Sequence, residues 1–164
     1  NPRPVSVYGV TFQKLFDRSN IKAYRHYVSS SKTDHDLCDV EDYAAAAIRY
    51  ENGAALLVET SFSLNIQKDQ GRIELFGTKA GAKLEPDLEI FGEASDYLTD
   101  MKVVGETASD SSMFGREIDH FIECVADGAE CISPAQHGVE LMKILEAVYK
   151  SAETGHEVII DWEE

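Results

Sequence analysis

Tyr43-Ala44-Ala45-Ala46-Ala47-Ile48-Arg49-Tyr50-Glu51-Asn52-Gly53-Ala54-Ala55-Leu56-Leu57-Val58-Glu59-Thr60-Ser61-Phe62 sets Asn-Gly between two apolar runs of similar length. Asn-Gly accepts the positive φ angles of a type I′ turn, so the stretch reads as a long β-hairpin. With Asn52 and Gly53 as the two turn residues, Glu51 pairs with Ala54, Arg49 with Leu56, Ala47 with Val58, Ala45 with Thr60 and Tyr43 with Phe62. The other face then carries Ala44, Ala46, Ile48, Tyr50, Ala55, Leu57, Glu59 and Ser61. Neither face is plainly polar, which predicts that both are covered.

Upstream, residues 3–14 alternate well enough for a first strand, and Pro2 and Pro4 limit pairing at its start, as at a sheet edge. Residues 17–39 are polar and read as a long excursion between strands. Downstream, residues 71–76 form a strand that Gly77-Thr78-Lys79-Ala80-Gly81 turns into residues 82–85, Pro86-Asp87 turns again into residues 88–91, and a further strand falls at residues 101–104. The last third changes period. Phe114, Ile118, Phe121, Ile122 and Val125 mark one face of an amphipathic helix that Asp127-Gly128 ends. Ser133-Pro134-Ala135-Gln136 has the form of a capping box and opens a second helix. Leu141, Met142, Leu145, Val148, Tyr149 and Ala152 give that helix its apolar face, Gly155 ends it, and residues 157–160 close the chain as a short strand. The sum is an α+β fold: an open, mainly antiparallel sheet with two helices from the second half packed on one face.

The 164 residues suffice for one domain with a full core. Thirty acidic against 15 basic residues give a net charge of -15, a field that repels nucleic acid and anionic membranes. No apolar run is long enough to span a bilayer and no signal peptide is recognisable, so a cytoplasmic protein is expected. Cys38, Cys124 and Cys131 are odd in number and lack CxxC spacing, which predicts free thiols.

The chemistry is defined chiefly by what is missing. No GxGxxG follows a strand, and HExxH, GxSxG and EF-hand patterns are absent. Gly77-Thr78-Lys79-Ala80-Gly81 lacks the spacing and ending of a phosphate loop and leads into a strand, so it is read as a hairpin turn. His35 among Asp34, Asp36, Cys38 and Asp39 is read as part of a solvated loop rather than a metal site. His120 with Glu117, near Cys124, is read as helix-surface hydrogen bonding and packing. Tyr24, His26 and Tyr27 with Lys22 and Arg25 form an aromatic-basic cluster assigned to a plain loop.

Several segments in order nevertheless resemble one family. Asn1-Pro2-Arg3-Pro4-Val5-Ser6-Val7-Tyr8-Gly9, the Asp39-Val40-Glu41-Asp42 lead-in to Tyr50-Glu51-Asn52-Gly53-Ala54, and Glu74-Leu75-Phe76-Gly77-Thr78-Lys79-Ala80-Gly81-Ala82 are three of them. Glu117-Ile118-Asp119-His120-Phe121-Ile122-Glu123-Cys124-Val125 and Ala147-Val148-Tyr149-Lys150-Ser151-Ala152-Glu153-Thr154-Gly155-His156-Glu157-Val158 complete the series. Together they resemble the carboxy-terminal domain of the glucose–fructose oxidoreductase, inositol dehydrogenase and rhizopine catabolism (Gfo/Idh/MocA) family, over nearly the whole chain.

The resemblance implies a dihydrodipicolinate-reductase-like carboxy-terminal α/β domain, one substrate-binding and oligomerisation domain over residues 1–164. Its amino-terminal Rossmann partner, which binds NAD or NADP and carries the lysine of a Glu-Lys-Pro motif, is expected upstream. So are the Asp and His that assist that lysine, so the resemblance implies no catalytic, cofactor-binding or metal-binding residue here. The implied full-length activity is hydride transfer between a nicotinamide and a secondary alcohol of a sugar, cyclitol or related polyol, with this chain alone inactive and binding no NADH. Lys14 and Arg18, just past the first strand, are the candidate substrate contacts, being able to donate to hydroxyls or carboxylates. A homo-oligomer is expected through the open sheet face, on which Ile48, Tyr50 and Leu57 would otherwise meet water. The competing reading is a stand-alone, non-catalytic ligand-binding or scaffold module.

Overall fold

Val5, Val7 and Gly9 alternate with Ser6, Tyr8 and Val10, the period of a strand with two unlike faces, and they lie in β1 (Pro4–Phe12). The computed structural model describes residues 2–15, 40–84, 87–102 and 110–163. They form two compact units, Asn1–Asn65 with Ser133–Glu164, and Ile66–Ile132.

In the first unit β1, β2 (Tyr43–Tyr50), β3 (Ala55–Ser61) and β8 (Val158–Ile159) make an antiparallel sheet in the order β3-β2-β1-β8. β1 is thus interior rather than an edge strand. The closing strand returns to its free side, pairing Ser6 with Ile159 and Val7 with Val158.

The hairpin forms, but one residue out of the expected register. Ile48 pairs with Leu56 and Ala47 with Leu57. Gly53 N–H donates to the Tyr50 carbonyl and Tyr50 N–H to the Ala54 carbonyl, so the loop is the three residues Glu51, Asn52 and Gly53. Only Gly53 is left-handed there, at φ +84, the pattern of a tight turn followed by a bulge glycine. Asn52 instead uses its side chain, accepting the Ala54 N–H at 3.1 Å. A one-residue slip exchanges partners between faces. Leu56 and Val58 therefore join Ile48 and Ala46, while Leu57 joins Ala47 and Arg49 on the opposite side.

α2 (Ala135–Thr154) packs on β1 and β8. Val7, Ile48, Ala147, Val148 and Ile160 form the buried core, with Ala46, Tyr50, Ile144, Val158 and Trp162 packed against it. The helix buries Ala147, Val148 and Ser151, whereas Leu141, Met142 and Tyr149 of the expected apolar face stay about half exposed. It does not open with the expected capping box. Pro134 has an extended ψ of 156° and occupies the cap position itself, with no side-chain cap, so Ser133 stands one residue too early. Gly155 ends the helix as expected, left-handed at φ +70, its N–H on the Ser151 carbonyl at 2.8 Å.

The second unit holds β4 (Glu74–Phe76), β5 (Gly81–Lys83), β6 (Glu89–Ala94) and β7 (Tyr97–Lys102), an antiparallel meander in sequence order. The Gly77–Gly81 segment is the expected hairpin turn, closed by the Gly77 N–H on the Ala80 carbonyl at 3.0 Å. Ser95 and Asp96 join β6 to β7 with φ +52 and +64, two left-handed residues in a two-residue loop. That is the turn form expected at Asn52-Gly53. α1 (Asp110–Ala126) completes the unit, and Phe114, Ile118, Phe121, Ile122 and Val125 are each more than half exposed. The chain is α+β with antiparallel strands and two late helices, as expected; among the described residues the strands of each unit pair into a sheet of four, and α2 packs on that of the first unit.

α2 lies tight against the sheet at Gly9, where an added Cβ would lie 2.8 Å from both Cγ1 and the carbonyl oxygen of Val148. Gly9→Ala is expected to cost about 1–3 kcal/mol through overpacking. Gly115→Ala, in the interior of α1 with nothing within 4 Å of the new methyl, is expected to stabilise by about 0.5–1 kcal/mol. Urea denaturation of both variants checks the pair; a neutral Gly9→Ala would show that the helix can lift without cost.

Candidate functional site

Where β1 ends and β2 begins, one carboxylate ties the chain together. Asp42 is 2% exposed. Its Oδ2 accepts the N–H of Lys14 at 2.6 Å and that of Leu15, and its own N–H donates to the Phe12 carbonyl at 2.9 Å. An ionised acceptor makes such bonds stronger than neutral ones. The Ser61 hydroxyl donates to the Asp42 carbonyl at 2.5 Å and accepts the Ser63 N–H at 3.0 Å, which joins the end of β3 to the same point.

This fixes the backbone from which residues 16–39 depart. Lys14, one of the two candidate substrate contacts, is held here by its main chain, with its side chain exposed. Arg18, the other, lies outside the described residues, as do His35 and the cluster around Tyr24.

Beside Asp42, Glu41, Tyr43, Ala44, Thr60, Ser61 and Phe62 line a cleft of about 210 Å³. The Tyr149 hydroxyl of α2 donates to both oxygens of Glu41, at 2.8 and 2.9 Å. The Tyr43 hydroxyl donates to Glu59 at 3.0 Å, and its ring stands 5.9 Å from that of Phe12. Both phenols are pushed above their ordinary 10.0, first by the hydrogen bond to a carboxylate, then by partial desolvation and the carboxylate's charge. They are donors at neutral pH, not bases or nucleophiles. The cleft is smaller than the ~300–1,000 Å³ of a ligand pocket, which suits one wall of a site rather than a whole one. Carboxylate acceptors beside hydroxyl donors suit a ligand rich in hydroxyl groups.

A second cleft, of about 320 Å³, lies in the other unit at the tip of the β4–β5 hairpin. Its Lys79 is accompanied by Glu93 and Asp100, which oppose an anion there. Also in that unit, His120 and Cys124 come together with Cys131, which spacing alone does not connect to them. Cys124 and Cys131 are free thiols, as expected. Partial burial pushes the Cys124 thiol up, as do the neighbouring Cys131 sulfur and the Glu123 carboxylate. The carboxylate beside His120 is Glu123, at 3.9 Å, rather than Glu117. Among the described residues, no helix is long and apolar enough to cross a membrane.

Loss of either phenol–carboxylate bond is directly measurable. A folded pKa above the unfolded value gives stability that is present below the unfolded value of 10.0 and lost as pH rises through the folded one. Glu41→Gln is expected to move one tyrosine transition downward in a spectrophotometric titration, and to weaken the alkaline fall in stability. An unchanged titration curve would mean that Tyr149 does not meet Glu41 in solution.

Residues 4–160 match the family described as "Oxidoreductase family, C-terminal alpha/beta domain". D-xylose 1-dehydrogenase (NADP(+)) 2 of Haloferax volcanii is 29% identical over 163 residues, covering 96% of this chain and 47% of the relative. D-glucoside 3-dehydrogenase of Escherichia coli is 30% identical over 158 residues, covering 96% of this chain and 42% of the relative. Among solved structures, levoglucosan dehydrogenase in complex with NADH and L-sorbose is similar in fold, with a TM-score of 0.73 at 16% identity over 97% of this chain and 45% of that one. The chain spans less than half the length of the two curated relatives.

Proposed function

Because the chain belongs to the Gfo/Idh/MocA oxidoreductase family, as its C-terminal α/β domain, we propose that it is the substrate-binding and oligomerisation half of an NAD(P)-dependent dehydrogenase. The substrate is a sugar, cyclitol or related polyol, oxidised at a secondary alcohol or, in the reverse direction, formed by reduction of the corresponding ketone. The family match over residues 4–160 carries this reading, and two relatives named as dehydrogenases of D-xylose and of D-glucosides support the substrate class. A Rossmann domain joined to this one would hold the nicotinamide and the proton-transfer lysine, since no Glu-Lys-Pro occurs in these residues.

In this proposal residues 1–164 act as one functional domain. The Asp42 strand end presents Lys14 to the substrate, and Arg18 is the second substrate contact. Lys14 supplies a charged donor to a hydroxyl, while Asp42 acts only by holding the backbone. The full-length enzyme is expected to reduce NAD⁺ or NADP⁺ with at least one member of a panel of aldoses, glycosides and cyclitols. Lys14→Ala in that enzyme should raise KM about tenfold with little change in kcat, the loss of one charge-assisted hydrogen bond of roughly 1.5 kcal/mol. No turnover on any panel member would sink the proposed class, and an unchanged KM would remove Lys14 from the site.

The oligomer contact is assigned to the sheet face opposite α2. Ile48 is buried under α2 and Tyr50 packs against that core, so neither can serve the contact. The opposite face instead carries Tyr8 and Phe12, each 48% exposed, with Ala45, Ala47 and Leu57, the last 80% exposed. Small residues between aromatic ones let a second sheet approach closely. Leu57→Asp is expected to reduce the sedimentation mass of the whole protein to a smaller assembly without loss of secondary structure. A mass unaffected by the charge would place the contact elsewhere.

A further inference from the structure

The end of α1 gathers three metal-binding side chains. His120 and Cys124 are four residues apart on the helix, which puts their side chains on one face, one turn apart. α1 stops at Ala126, Gly128 takes a left-handed φ of +70, and the reversed chain brings Cys131 back to the same face. One donor atom from each of His120, Cys124 and Cys131 lies within 4.8 Å of the other two. A tetrahedral zinc with bonds of about 2.1 Å to nitrogen and 2.3 Å to sulfur needs its donors roughly 3.5–3.8 Å apart. The Cys124 sulfur is already 3.5 Å from His120 Nε2. The remaining adjustment falls on Cys131, which is exposed and sits beyond the helix end.

The imidazole is prepared in the tautomer a metal requires. Ile132 N–H donates to His120 Nε2 at 3.1 Å, so that nitrogen carries a lone pair and Nδ1 carries the hydrogen. Glu123 Oε2 lies 3.9 Å from Nδ1, the position of the carboxylate that commonly orients a metal-bound histidine. One imidazole nitrogen and two thiolate sulfurs form a soft-to-borderline donor set, which suits zinc and not magnesium or calcium.

We propose that His120 Nε2, Cys124 Sγ and Cys131 Sγ bind one zinc ion, with its fourth position open to water. All three ligands come from the second unit. Binding replaces two thiol protons and the Ile132 N–H contact with metal bonds, and so fastens the segment after Gly128 to the helix. Its role is therefore a structural clasp.

The test uses the whole protein, metal-free and kept reduced, titrated with Co²⁺ as a spectroscopic probe. The expected result is one equivalent bound, with thiolate-to-cobalt charge-transfer and tetrahedral d–d bands that Zn²⁺ displaces, and a higher melting temperature with Zn²⁺. Cys131→Ser, at an exposed position that leaves α1 intact, should abolish the charge-transfer intensity of one thiolate and weaken binding at least tenfold. Glu123→Gln should weaken it about tenfold while keeping the bands, the usual size of such an orienting effect. Cys38→Ser should change nothing. The absence of a saturable band in the reduced protein, or a band that survives Cys131→Ser unchanged, would overturn the proposal. Circular dichroism of each variant separates lost ligation from lost folding.

Discussion

The placement of α2 depends on one hydroxyl. β8 covers the free edge of β1 only at Ser6 and Val7, so the Gly9 N–H on that edge has no strand partner. A buried donor left unpaired costs about 1–3 kcal/mol. Ser151, wholly buried, accepts that N–H at 2.9 Å and donates its own hydrogen to the His156 carbonyl at 2.6 Å. Its main-chain carbonyl meanwhile accepts the Gly155 N–H that ends the helix. One residue thus completes the strand edge, caps the helix and starts the return into β8. The missing side chain of Gly9 lets Val148 settle against the same spot. Height, rotation and end point of α2 are fixed together, and Tyr149, next to Val148, is thereby set over Glu41 at the candidate site.

The parts of the fold that were legible beforehand are those with a long period. Both helices and the Asn-Gly hairpin could be read because their patterns repeat over several turns or residues. What could not be read was decided by single backbone groups. Asn52 can enter a left-handed turn or accept its neighbour's N–H, and only the second occurs. That choice moves Leu56 to the helix-covered side and leaves Leu57 in solvent. Ser133 and Gln136 have capping-box spacing, yet the extended Pro134 places the start of the helix after both the serine and itself. Ser95-Asp96 carries little local signal and is left-handed because Ala94 and Tyr97 pair around it.

The candidate site was legible only in outline. Lys14 is picked out by its donor chemistry and its position just past the first strand, whereas nothing in the local pattern marks Asp42, whose carboxylate fixes that end. Its importance comes from closure with residues some 28 positions away, which neither composition nor periodicity encodes. Likewise the i,i+4 relation of His120 and Cys124 was readable, whereas Cys131 joins them through the left-handed turn at Gly128. The Asp-Gly pair that marked the helix end was the available sign that the chain turns back there.

The acidity of the chain acquires a structural use at this site. With 30 carboxylates and 15 basic side chains, at least half the carboxylates cannot have a cation to themselves. The first unit gives several of them neutral donors instead. Asp42 takes two backbone N–H groups, Glu41 and Glu59 take phenols, and Glu157 takes the Ser6 hydroxyl at 2.5 Å, with Arg49 at 3.9 Å. Exposed ion pairs weaken as salt screens them, and they contribute little even without it. A hydrogen bond from a neutral donor to a carboxylate is short-ranged and depends far less on ionic strength. The strand end is therefore held by interactions that tolerate the chain's excess negative charge, and it leaves the lysine at its rim to interact outward.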